Sequence, residues 1–141
     1  MNDESNTLFT KHNVDEHEYK MHQLVYDSDI INVPKIHSYD KANKIMVMEK
    51  ILKMNIADEY GEDPSCIPPS LFTLMQDVIR KLYDHCIEFP DITGYNFIFH
   101  NDTMFLIDFE HSRVFKDDGD IKDPFVKQFI NGLCKWNPEF K

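Results

Sequence analysis

Glycine is scarce in this sequence. Gly61, Gly94, Gly119 and Gly132 are the only four in 141 residues, about 3% where ~7% is usual. No two stand close enough to form a G-x-G-x-x-G or Walker-type loop, which excludes that class of phosphate-binding motif. Cysteine is nearly as sparse. Cys66, Cys86 and Cys134 are odd in number, widely spaced and without a C-x-x-C pair, so neither a disulfide framework nor a zinc–thiolate site is indicated, and a reducing compartment is expected. Positive charge is in deficit, with 15 Lys+Arg against 25 Asp+Glu and a formal net charge of −10. Nucleic-acid and anionic-membrane binding both need a positive field, so no nucleic acid and no membrane are expected as partners, whereas a cation or a basic partner fits. No apolar run approaches the ~18 residues of a membrane span, and the first twenty residues lack a signal-peptide core. The sequence therefore reads as a soluble, intracellular protein.

What is present is enough to build a core: 42% of the residues are hydrophobic, including 11 Phe, 6 Tyr and 1 Trp. The length suits one domain of the usual ~100–150 residues. Leu8 to His12 has the composition of a short strand carrying one lysine, Lys11. Asp15 and Glu18 form a D-x-x-E capping pattern ahead of Met21, Leu24 and Val25, which predicts a helix over 15–26 with Glu18 on or beside its apolar stripe and Glu16 pointing elsewhere. Val33–Ile36 and Ile45–Met48 flank the polar turn 40–44 and predict an antiparallel hairpin. The acidic, proline-containing stretch 58–69 reads as a surface connection and a lobe boundary. Leu71, Leu74, Met75, Val78, Ile79, Leu82 and Cys86 recur at helical spacing and predict a buried amphipathic helix over 70–86. Phe97–Phe99 and Met104–Ile107 flank the turn residues 100–103 as a second hairpin. An acidic loop is expected at 117–123, and Asp123-Pro124 begins a closing helix through Phe125, Val126, Phe129, Ile130 and Leu133. The mixture of elements is α+β.

The densest chemical signal runs from Pro90 to Ser112. Asp91 and Asn96 satisfy D-x-x-x-x-N, and Asp108-Phe109-Glu110 follows 17 residues after Asp91. This series resembles the protein-kinase-like superfamily, with its H-R-D-x-x-x-x-N and D-F-G motifs. The resemblance implies that Asp91 is the base-like residue for the attacking hydroxyl and that Asn96 and Asp108 hold Mg²⁺ against the triphosphate of ATP. It also implies that Met48 is the gatekeeper, that the backbone near Glu49 and Ile51 faces adenine, and that Glu18 is the helix glutamate paired with a phosphate-binding lysine, Lys11. From Lys11 to Glu110 the resemblance covers 100 of 141 residues.

The departures from the pattern also carry information. Phe89 and Pro90 stand where His and Arg are usual, so control by an activation-loop phosphate is not expected. Glu110 replaces the glycine of D-F-G, as in choline kinases and aminoglycoside phosphotransferases, and Thr93 stands where protein kinases carry Lys. Lys11 and Glu18 are only seven residues apart. No glycine-rich hairpin precedes Lys11, no A-P-E follows, and about 30 residues remain after Ser112. The sequence is similar to the small kinase-like proteins of large DNA viruses, invertebrate iridescent viruses among them, for which host cytoplasm is the expected location. The fold implied is a truncated protein-kinase-like one, with a small β-rich N-lobe remnant and hinge (1–52) carrying one helix, and a mainly helical C-lobe remnant (53–141) with a catalytic-loop hairpin.

Two functions follow from the resemblance. One is an ATP- and Mg²⁺-dependent phosphotransferase acting on a hydroxyl acceptor; the other is a pseudokinase that acts by engaging a partner protein. A third, a metal-dependent hydrolase, lacks a second set of ligands. Structural readings stand beside the functional ones. Glu18 also fits a capping-box carboxylate, Lys11 a solvated edge lysine, and Met46, Met48 and Phe109 plain core residues. His12, His17 and His22 step by five residues, about 140° on a helix, and read as scattered surface histidines. The clusters Asp58-Glu59 with Glu62-Asp63, and Asp117-Asp118 with Asp120, read as solvated loops.

Overall fold

A three-stranded antiparallel sheet, two two-stranded ones and two longer helices form the framework of the described residues. The computed structural model describes residues 7–61, 64–116 and 123–132. The elements in order are β1 (Leu8–Lys11), α1 (Glu16–Ser28), β2 (Ile36–Asp40), β3 (Ile45–Glu49), α2 (Ile56–Tyr60), a 3₁₀ turn at Pro64–Cys66, α3 (Pro69–Asp84), β4 (Ile87–Glu88), a 3₁₀ turn at Gly94–Asn96, β5 (Phe97–His100), β6 (Thr103–Leu106), β7 (Arg113–Val114) and α4 (Pro124–Ile130). The architecture is α+β. No helix among the described residues is long and apolar enough to cross a membrane.

The first sheet has the order β1-β3-β2, all antiparallel, with Lys11 opposite Met46 and Phe9 opposite Met48. In β3 the period-2 pattern buries Met46 and Met48, which join Val14 in a small core. Tyr19 of α1 stacks on Tyr39 of β2 with ring centroids 4.4 Å apart, and the Tyr39 hydroxyl donates to Val14 O at 2.8 Å. The predicted strand at Val33–Ile36 is corrected: β2 starts only at Ile36 and runs to Asp40. Pro34 has no N–H to give a ladder, and the Lys35 N–H donates to the Glu49 carboxylate at 3.2 Å.

Helix α1 begins where the capping pattern predicts. Asp15 Oδ1 accepts the Glu18 N–H at 2.8 Å, and the helix ends at Asp29, whose φ of 55° is left-handed. Its stripe is Met21, His22 and Val25, buried in a second and much larger core, while Leu24 is exposed. Helix α3 follows its predicted pattern from Pro69 and buries Leu71, Met75, Val78, Ile79 and Leu82. Leu74 lies on the exposed side, and the helix stops before Cys86, whose φ is 62°.

The stretch 58–69 is more than the surface connection expected. It opens inside α2, which Asn55 caps by accepting the Asp58 N–H at 2.7 Å and which buries Ile56 and Ala57 just ahead of the stretch, and Ile67 within it is buried. Asp58 and Glu59 lie on this helix, and their companions Glu62 and Asp63 fall outside the described residues. The β5–β6 register, Phe97 with Leu106 through His100 with Thr103, leaves a two-residue turn. Asn101 and Asp102 both take left-handed φ values, 50° and 60°, as a type I′ turn requires. Asp123 caps α4 through the Phe125 N–H at 2.9 Å. Residues 117–122 and Leu133 fall outside the described residues.

Candidate functional site

The tight β5–β6 turn fixes what lies at the open end of the hairpin. Phe97 pairs with Leu106, so Asn96 and Ile107 come next, and the Ile107 N–H donates to Asn96 O at 3.0 Å. Asp108 is therefore one residue from Asn96 across the hairpin. Asn96 also closes the loop before it, because its Nδ2 donates to Asp91 O at 2.8 Å, which leaves the amide Oδ1 as its acceptor atom. Asp91, Thr93 and Asn96 are all buried.

Asp108 has φ +73°, a left-handed conformation that Asp tolerates better than most residues. The next residue, Phe109, is fully buried, with its ring 5.5 Å from Phe89 and 5.3 Å from His22, both edge-on. This anchor turns the chain so that Asp108 Oδ1 meets Lys11 Nζ at 3.3 Å. The same ammonium lies 2.5 Å from Glu18 Oε2. Lys11 is thus not a solvated edge residue: its side chain is 27% exposed, that of Glu18 4%. Burial opposes charge on Lys11, yet the Glu18 hydrogen bond and the nearby Asp108 outweigh it and raise its pKa. Burial raises that of Glu18, opposed by Lys11. The Glu18 carboxylate is held by Lys11 as well as standing at the capping-box position, so only the Asp15 half of that box forms as a cap.

Asp91 is held differently. Its Oδ2 accepts from His111 Nδ1 at 2.6 Å, while Oδ1 is buried with no hydrogen-bond partner among the described residues. Burial pushes the Asp91 carboxyl up; His111 opposes this, and Asp108 and Glu110 add repulsion in the same upward direction. The hydrogen bond to Asp91 raises His111 in turn. The pairing of β4 with β7, Ile87 with Val114 and Glu88 with Arg113, brings the chain before Asp91 alongside the chain after His111. A second histidine ties this segment to α1, as His17 Nε2 donates to Ser112 O at 2.6 Å.

Beside these groups lies a cavity of about 260 Å³, near the lower end of ligand-pocket volumes, ~300–1,000 Å³. Its lining includes Phe9, Met48, Glu49, Ile51, Ile98 and Ile107. All three residues expected to face a base, Met48, Glu49 and Ile51, line it, and Ile107 joins it directly to Asp108. The predicted residues therefore fall into three connected groups: Lys11, Glu18 and Asp108 in one ion-paired chain; Asp91 and Asn96 in one loop; and Met48, Glu49 and Ile51 in the cavity.

Among the described residues no three His, Cys, Asp or Glu side chains converge as a metal cage. His12, His17 and His22 do not converge, but they are not all surface groups. His22 is buried and donates Nε2–H to Pro34 O at 2.7 Å. His17 is exposed, as expected, though it bonds Ser112 O; no role was expected for His111, whose only signal in the sequence is its place directly after Asp-Phe-Glu. No family model matches the chain, and no curated protein is significantly similar to it.

Proposed function

We propose that this chain has a truncated protein-kinase-like fold, with lobes at 1–52 and 53–141, and transfers the γ-phosphoryl group of ATP to a hydroxyl acceptor. The observation that carries the proposal is the Glu18–Lys11–Asp108 chain, in which three residues up to 97 positions apart in sequence meet at one ammonium group. Support also comes from the β1-β3-β2 sheet with α1 against it, the cavity under β3, and the hairpin that sets Asn96 beside Asp108.

In this reading adenine occupies the cavity against Met48 and Ile107, near the backbone of Glu49 and Ile51. Lys11, held from two sides by carboxylates, offers its ammonium to the phosphates. Asn96 and Asp108 present hard oxygen donors suited to Mg²⁺, which neutralises phosphate charge when bound. Asp91 with His111 forms the basic group beside the acceptor position. The hydroxyl oxygen bonds to the γ-phosphorus, the β–γ bridging P–O bond breaks, and ADP leaves with that electron pair. The second reading is a kinase mimic that engages a partner protein. It is favoured by the engagement of the Asp91 carboxylate by His111 and by Phe9, Leu52 and Met54, exposed apolar side chains close to the cavity.

Thermal melts with ATP, with and without Mg²⁺, test the first reading. Ligand that binds only the folded state stabilises it by about 2.7 kcal/mol at 100 times Kd. A rise in Tm that requires Mg²⁺ is expected, and Asp108→Asn should remove the metal-dependent part. No shift with millimolar ATP·Mg²⁺ would sink the phosphotransferase and leave the mimic.

A further inference from the structure

Asp91 and His111 differ sharply in access to solvent. The Asp91 side chain is 8% exposed and that of His111 56%. Of the two carboxylate oxygens, Oδ1 is buried without a partner and Oδ2 accepts the His111 Nδ1–H. An acceptor hydroxyl of any size cannot reach Oδ1 through the packed loop, and at Oδ2 it would have to evict the imidazole. Nδ1–H directed at a carboxylate selects the neutral tautomer whose free lone pair is on Nε2. A buried carboxylate that orients an imidazole and steadies its charged form, with the far nitrogen presented outward, is the arrangement of a general base.

We infer that His111 Nε2, not Asp91, takes the proton from the acceptor hydroxyl, and that Asp91 is the positioning residue behind it. The inference rests on the phosphotransferase reading and assigns the proton within it. The hydroxyl O–H bond breaks as the oxygen bonds to the γ-phosphorus, the proton passes to Nε2, and the imidazolium returns it to water after ADP departs. The groups facing His111 are Asp91, Glu110 and Asp108; next in the chain Arg113 is paired with Glu88, and His17 meets the backbone of Ser112. The Asp91 hydrogen bond steadies the imidazolium and the Glu110 charge adds to it, so the rate should rise with pH through a value above the ordinary imidazole range, where the base becomes neutral.

The test measures phosphate release from ATP·Mg²⁺ with water as the acceptor, across pH, alongside ATP-induced thermal shifts. His111→Ala should lower the rate about 10²-fold or more and lose the rising limb, and added imidazole should restore part of the rate. Asp91→Asn, which replaces the carboxylate with an amide able to donate to Nδ1 and so select the wrong tautomer, should lower the rate as well without imidazole rescue. Both variants should retain the thermal shift. A His111→Ala protein with wild-type rate and pH profile overturns the assignment while leaving the phosphotransferase standing. A wild-type protein that binds ATP·Mg²⁺ but releases no phosphate overturns the base, and one that binds no ATP overturns both.

Discussion

His22 shows what a single buried side chain does to the stability of the whole chain. Its imidazole lies under Pro34 O and against the edge of Phe109. Burial lowers its pKa, and the Lys11 charge adds to that effect. Between the depressed folded value and the ordinary ~6.5 of the unfolded chain, the unfolded state binds more protons. Stability therefore rises with pH through that window and is lost on acidification below about pH 6.5. His111 has the opposite sign: its raised value gives a contribution present below about pH 6.5 and lost as pH climbs through the folded value, and its exposure keeps that contribution small. Urea melts at pH 5 and pH 7 should resolve the His22 contribution as a loss of stability at pH 5, against the opposite contributions of His111, Glu18 and Asp91, whose values are raised. His22→Gln, which keeps a donor for Pro34 O, should be more stable at pH 5 relative to pH 7 than the wild type is; an unchanged pH response would mean that other groups set it.

At the level of elements, α3 is the support on which the site loop rests. Met75 and Ile79 are fully buried, and the β4 strand and the Asp91 loop follow directly from its C-terminal end. Met75→Ala should cost about 2–5 kcal/mol by leaving a cavity, whereas Leu74→Ala, one position away on the exposed side, should cost under about 0.5 kcal/mol. Paired denaturant melts measure both. Helix α3 was legible in the sequence because its apolar residues repeat at a strict helical period. The β5–β6 hairpin was legible because turn residues separate two apolar runs. Helix α2 was not, since its five residues are too few for a period and its acidic Asp58 and Glu59 conceal buried Ile56 and Ala57. Proline decides the start of β2, a local effect that hydrophobic patterning does not register. The site was half legible for the same reason. Asp91, Asn96 and Asp108 sit in one continuous motif, and the pairing of Lys11 with Glu18 was expected from the resemblance, but the contact of Lys11 with Asp108 depends on where β1 pairs and how the chain turns at Phe109. The role of His111 depends on the strand pair β4–β7, only two residues long on each side.

For the whole molecule, α1 is the member shared by two unequal cores. Its Tyr19 packs with the small cluster of Val14, Met46 and Met48, while its Met21 and Val25 belong to the large one built on α3. A cluster of three buried side chains, Val14, Met46 and Met48, gives the sheet little cooperative strength of its own, so β1 and β2, its two edge strands, should detach in openings that leave α1 seated. Backbone amides of β1 should then exchange with deuterium faster than those around Val25, which should keep pace with the middle of α3; equally slow exchange in β1 and α3 would refute this. Each such opening carries Lys11 away while Glu18 and Asp108 stay behind. The ion-paired chain is thus a clasp whose moving half is a strand, and any anion that binds Lys11 and the cavity floor together should slow exchange as far as β2, the one strand of the sheet that does not line the cavity.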